Sequence, residues 1–152
     1  MEKIVCFGEL LLRFSPFDGC FNENYLPVYV GGAELNVCTA LSGWNVPAKY
    51  VTALPDNYLA QEIIRDVQKR KIDTSSLITS GNRIGTYYLQ QGTDLKHAGV
   101  IYDRAYSSFY DLKPGQIDWD KVLDGASWFH FSAISPALNE NVTQVCEEGL
   151  KA

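Results

Sequence analysis

Ile4-Val5-Cys6-Phe7 is an unbroken apolar run that ends at Gly8-Glu9. Continuous rather than alternating hydrophobicity marks a strand buried on both faces of a parallel sheet, which puts Glu9 at the carboxyl end of a central strand. Leu10 to Phe14 continues extended, Ser15-Pro16-Phe17-Asp18-Gly19 is turn chemistry, and Tyr25 to Val30 is a second extended run whose Pro27 suits an edge. After Gly31-Gly32, the small and apolar residues from Ala33 to Trp44 predict a buried helix with Gly43 as its stop. Lys49 to Ala53 predicts a strand, and Leu59, Ile63, Ile64 and Val67 recur at helical spacing among polar neighbours. Strand and helix alternate, so the chain predicts a βαβ architecture.

The middle of the chain breaks this rhythm. Thr86 to Gln90 and Gly99 to Asp103 are short β-rich runs separated by a polar segment, and they predict a hairpin. Trp128 to Ser132 is again a buried-strand run, and Leu138, Val142, Val145, Cys146 and Leu150 stripe a last helix. That helix meets no glycine, proline or polar stop, so the chain is expected to be cut from a longer one.

Composition then removes whole classes of function. The chain has 152 residues, 46% hydrophobic and 20% charged, as an ordinary globular domain does, with no linker or repeat dividing it. A net charge of -5, with no basic run longer than Lys69-Arg70-Lys71, disfavours nucleic acid as a partner. No stretch approaches the roughly 18 apolar residues of a membrane span, and no cleavable leader is visible, so a cytoplasmic location is expected. Cys6, Cys20, Cys38 and Cys146 lack metal or disulfide-scaffold spacing and read as reduced packing thiols. No metal ligand is assigned.

Candidate chemistry concentrates in two places. In Gly31-Gly32-Ala33-Glu34-Leu35-Asn36, glycines ahead of a helix let backbone approach a ligand, the first helical turn offers free N–H groups, and Asn36 can donate and accept. A plain strand-to-helix turn with a satisfied core amide explains the same residues. Tyr87, Tyr102 and Arg104 form the second group, because alternate positions on short strands share a face. A guanidinium matches a carboxylate, and tyrosines stack on a carbon chain while donating through their hydroxyls. Sheet aromatics and a surface cation would look alike. Glu9 stands at a strand end where open α/β sheets bind ligands, or it caps a turn. His97 and His130 read as a solvated and a core histidine.

A Gly-Gly-Ala-x-x-Asn run after a first strand ending in Gly-Glu resembles the first signature of the ribokinase-like (PfkB) carbohydrate kinases, and its spelling is similar to their 2-keto-3-deoxygluconate kinase branch. The order of elements along the whole chain fits as well. The resemblance implies an α/β fold with a Rossmann-like, doubly wound, mostly parallel sheet and a small β lid over the sugar. Residues 1–152 would be the amino-terminal part of one such domain, with lid segments at about 10–30 and 86–104. It carries over Gly32, Ala33, Glu34, Leu35 and Asn36, with Tyr87, Tyr102, Asp103 and Arg104, as substrate contacts. One stretch departs from the pattern: where such kinases show a glycine-rich turn with an Asp pair, this chain reads Val51 to Ala60, and Asp56 alone remains.

The implied activity is ATP-dependent phosphorylation of 2-keto-3-deoxygluconate on its terminal hydroxyl, with ATP and Mg²⁺ as co-substrate and metal of the complete enzyme. Neither is expected to bind this chain tightly alone. The family's base aspartate lies in a Gly-Ala-Gly-Asp turn that this sequence lacks, so no catalytic residue is assigned here and the base is expected beyond Ala152. The expected partners are a small-molecule sugar acid and further copies of the chain, joined through the lid as a homo-oligomer. A fructokinase-like enzyme for neutral sugars is the alternative within the family, and a non-catalytic sugar-binding or dimerisation module the alternative outside it. No G-x-G-x-x-G follows the first strand, which disfavours a nicotinamide dehydrogenase.

Overall fold

The structure, a computed structural model, describes residues 3–16, 24–90 and 99–152. The run Lys3–Phe7 forms β1, and it is the middle strand of a three-stranded parallel sheet in the order β4-β1-β9, with β4 at Ala48–Val51 and β9 at Ala126–His130. Val5, Cys6 and Phe7 are fully buried, as an unbroken apolar run in a covered parallel strand requires. Their side chains alternate between separate cores. Cys6 packs with Leu35 and Cys38 of helix α1 (Ala33–Gly43) and Ile63 and Val67 of helix α2 (Tyr58–Lys69). Val5 and Phe7 pack on the other face against Trp119 and Val122 of α3 (Trp119–Leu123) and Val142, Val145 and Cys146 of α4 (Glu140–Lys151). Phe7 is the hub there, its ring 5.0 Å from Phe109 and 5.2 Å from Trp119. Helices on both faces of a parallel sheet make the doubly wound α/β layer that the chain predicts.

A second, four-stranded sheet stands beside this layer. It comprises β2 (Leu11–Phe14), β3 (Val28–Gly31), β7 (Gly85–Leu89) and β8 (Val100–Asp103), in the order β3-β2-β7-β8. The β7 and β8 runs pair antiparallel, as expected, and Pro27 precedes an edge strand. The polar segment expected between them, residues 91–98, lies outside the described residues, as do Cys20 and His97.

Some expectations need correction. The strand read as Lys49 to Ala53 divides at Thr52, and Ala53–Leu54 forms β5, which pairs with β6 (Ile78–Thr79) in a sheet of its own. Gly43 does not stop α1. The stop is Asn45, whose φ of 59° turns the chain so that its N–H donates to Ser42 O and that of Val46 to Leu41 O, a paired closure of the last turn. Trp128 was expected in a buried strand and is 66% exposed: it stands beside Ile4 of β1 and joins neither core. Leu150, placed on the apolar stripe of α4, is likewise exposed, and Gly149 takes the buried position. Among the described residues no helix is long and apolar enough to cross a membrane.

Candidate functional site

The cleft forms where the start of α1 meets the second sheet. Gly32 caps the helix with a φ of 147°, a conformation open to glycine, and a Cβ there would lie 2.5 Å from the Glu9 carbonyl oxygen. The strand end and the helix start therefore touch backbone to backbone. Tyr50, fully buried, ties the same corner by donating its hydroxyl to Gly8 O at 2.9 Å.

Glu34 in the first turn of α1 is also buried, its side chain lying across Gly8 so closely that a Cβ on Gly8 would sit 1.9 Å from its Oε2. Its Oε1 accepts the Ser132 N–H at 2.9 Å. A carboxylate at a helix amino terminus is favoured by the helix dipole, which offsets part of its burial.

From the sheet side, Tyr87 and Tyr102 are cross-strand partners with ring centroids 5.8 Å apart. Arg104, just past β8, rests its guanidinium carbon 5.6 Å from the Tyr102 ring centre. Its Nε donates to Glu9 Oε2 at 2.7 Å, and its Nη2 donates to the same oxygen. Ser107 Oγ donates to Glu9 Oε1 at 2.5 Å. Burial pushes the Glu9 carboxyl above its ordinary value, while the Ser107 hydroxyl and the Arg104 charge pull it back.

These walls enclose about 230 Å³ lined by Gly32, Ala33, Glu34, Asn36, Tyr87, Tyr102 and Arg104, together with Glu9, Leu11, Leu89, Val100 and Ile134. Such a volume falls below the roughly 300–1,000 Å³ of sites for drug-sized ligands and suits a small one. Of the expected contacts, Leu35 and Asp103 are elsewhere. Leu35 is fully buried in the core on the inner side of α1, and Asp103 points off the opposite face of β8 to pair with Arg83 at 3.0 Å.

Leu89 and Val100 could have been found, since they stand two residues from Tyr87 and Tyr102 and so share their face. Glu9 was left open in the sequence and lies on the cleft wall. Ile134 follows β9 in an irregular segment, and no spacing announces it. Among the described residues, no group of three or more His, Cys, Asp or Glu side chains could hold a metal ion.

The pfkB family carbohydrate kinase model matches residues 1–151. The chain belongs to that family. A 2-dehydro-3-deoxygalactonokinase of Haloferax volcanii is 32% identical over 151 residues, 98% of this chain and 47% of that protein. The crystal structure of a 2-dehydro-3-deoxygluconokinase from Thermotoga maritima superimposes with a TM-score of 0.93 at 40% identity, covering 99% of this chain and 47% of the other. A PfkB family carbohydrate kinase from Listeria grayi gives 0.91 at 34% identity, covering 99% and 48%. The chain thus spans about half the length of the relatives it matches, and its ribokinase-like fold is shared with them.

Proposed function

We propose that residues 1–152 are the amino-terminal part of a single ribokinase-like domain, and that they supply the sugar-binding wall of an ATP-dependent kinase for 2-keto-3-deoxygluconate. The observation that carries this reading is the convergence of Asn36, Tyr87, Tyr102 and Arg104 on one small cleft. Asn36 and the tyrosine hydroxyls donate and accept as sugar hydroxyls require, and Arg104 offers charge-assisted donors to the acid group. The printed names of the Haloferax and Thermotoga relatives, both kinases of 2-dehydro-3-deoxy sugar acids, support the same substrate class.

The second sheet, within about 10–30 and 86–104, acts as a lid that excludes water from the sugar and joins protomers of a cytoplasmic homo-oligomer. ATP supplies the phosphoryl group and Mg²⁺ shares its charge when bound. The described residues of this chain do not fit a metal site, and no step is assigned to them beyond binding and orienting the sugar.

One observation favours a second reading. Glu9 already pairs with Arg104, and a neutralised guanidinium suits a neutral sugar such as fructose as well as an acid. ATP-dependent turnover by a full-length kinase carrying this chain separates the two. We expect kcat/KM for 2-keto-3-deoxygluconate to exceed that for fructose by at least about tenfold, a preference worth ~1.4 kcal/mol. The 152-residue chain alone is expected to turn over neither. Equal or better turnover of fructose would establish the neutral-sugar kinase instead.

A further inference from the structure

We infer that Glu9 is a positioning residue for substrate recognition, fixing the plane of Arg104 so that its free edge meets the substrate's acid group. The inference rests on the sugar-acid reading above and adds to it a residue that touches Arg104 rather than the sugar.

A guanidinium carries five N–H donors in a rigid planar fork. In Arg104 the Nε hydrogen and one Nη2 hydrogen converge on Glu9 Oε2. Among the described residues no hydrogen bond engages the Nη1 edge, and the side chain lines the cleft with only 15% of its surface exposed. Two hydrogen bonds to one oxygen set the position of an edge, and the Tyr102 ring lies on one side of the guanidinium, its centre 5.6 Å from the guanidinium carbon.

Glu9 is itself held. Ser107 Oγ donates to Oε1 at 2.5 Å and in turn accepts the Tyr110 N–H at 3.1 Å, so each carboxylate oxygen is spoken for and the residue is 3% exposed. Gly85 is part of the same construction: a Cβ there would lie 2.6 Å from Glu9 Oε1 and 3.2 Å from the Arg104 Cβ. A carboxylate this enclosed, with both oxygens engaged, is badly placed to bind a sugar hydroxyl. It is well placed to aim a cation, because recognition of a planar acid group tolerates only small errors in the direction of its partner.

The test uses a full-length kinase carrying this chain and reads KM for 2-keto-3-deoxygluconate beside KM for ATP. Glu9→Gln keeps the geometry without the charge, its amide oxygen accepting from Arg104 and its amide nitrogen donating to Ser107 Oγ. Its sugar-acid KM should rise far less than that of the Asp variant, or fall, because the repulsion of an incoming acid group is lost with the charge while the aim of Arg104 is kept. Glu9→Asp keeps the charge and withdraws the carboxylate by about one C–C bond, ~1.5 Å. Its sugar-acid KM should rise about tenfold or more with the ATP KM unmoved, as displacements of this size cost bound geometry. In an Arg104→Ala background, Glu9→Asp should change nothing further.

The inference is overturned if Asp is as harmless as Gln, if Gln is as damaging as Asp, or if the Asp effect persists undiminished without Arg104. Should Glu9→Asp fail to fold, Ser107→Ala replaces it, with a several-fold rise in KM expected that disappears in the Arg104→Ala background; no rise overturns the inference. An Arg104→Ala enzyme with unaltered sugar-acid KM would instead remove the reading on which the inference stands. A changed KM there with silent Glu9 variants removes the inference alone.

Discussion

Removing the Arg104 side chain tests the proposed substrate class most directly, and the structure sets the size of the effect. The guanidinium is 15% exposed and lines a cleft whose other walls carry no cation among the described residues. A sugar carboxylate docked there would be largely desolvated, and deleting one side of such a pair costs about 2–4 kcal/mol, or roughly thirtyfold to several-hundredfold in KM. The pairing with Glu9 reduces the net positive charge, so the lower half of that range is expected for Arg104→Ala. Lysine should recover part of the loss, because an ammonium keeps the charge and lacks the planar fork. Folding stability should fall as well, since the Glu9 carboxylate loses its cation. That loss is limited: burial already raises the Glu9 pKa, and without Arg104 the group takes up a proton instead of remaining a buried ion. Initial-rate kinetics with the sugar acid and ATP varied separately, alongside thermal melts, check the scheme. A sugar-acid KM within about twofold of wild type in a folded Arg104→Ala enzyme, well short of the tenfold that ~1.4 kcal/mol represents, refutes the carboxylate assignment.

Two further outcomes follow from the packing of the cleft. Gly8→Ala should destabilise the protein by about 1–3 kcal/mol in denaturant unfolding, since its Cβ would overlap the buried Glu34 carboxylate and force it off the Ser132 N–H; a variant as stable as wild type would show that Glu34 has room to move. Glu9 should also leave a signature in pH. Burial, outweighing Ser107 and Arg104, raises its folded pKa above the ordinary 4.5. The folded state then holds the proton more tightly than the unfolded chain does, and the contribution of Glu9 to stability declines as pH rises from 4.5 through the folded value. Glu9→Gln lacks that slope, so its melting temperature relative to wild type should climb between about pH 4 and pH 7. A relative melting temperature that is flat or falling across that range would contradict the direction of the shift.

The parts of the fold legible in the sequence are those whose burial is local in cause. β1 was readable because both of its faces are covered, so every residue from Ile4 to Phe7 is apolar, and α2 because one covered face gives its stripe a helical period. Trp128 shows where this reasoning stops. An apolar run states that side chains are hydrophobic, and only the tertiary packing states whether anything covers them; β4 and β9 flank β1 alike, yet every residue of β4 is buried and none of β9 is. The five-residue helix α3 is too short for a period to show, although Trp119 and Val122 anchor one of the cores. The stop of α1 was misplaced for a different reason. Gly43 and Asn45 both carry stop propensity, and the choice depended on which of them takes the positive φ.

The site divides along the same line. Alternation along β7 and β8 puts Tyr87 and Tyr102 on one face and Asp103 on the other, so the sequence contained the grounds for removing Asp103 and adding Leu89 and Val100. By contrast, no spacing rule links Glu9 to an arginine 95 residues later. That pair changes the chemistry of the cleft. Read alone, Arg104 is a full positive charge awaiting an anion; joined to Glu9, it is half of a buried ion pair with one edge unengaged among the described residues. If the proposed substrate class holds, discrimination for a sugar acid would come from the direction of the remaining N–H donors more than from net charge, because the Glu9 carboxylate would repel an incoming carboxylate while Arg104 attracts it. An aimed edge rewards a carboxylate placed in its plane and gives little to an anion that merely enters the cleft, so the ion pair would sharpen selectivity for a correctly shaped sugar acid over inorganic anions of the same charge.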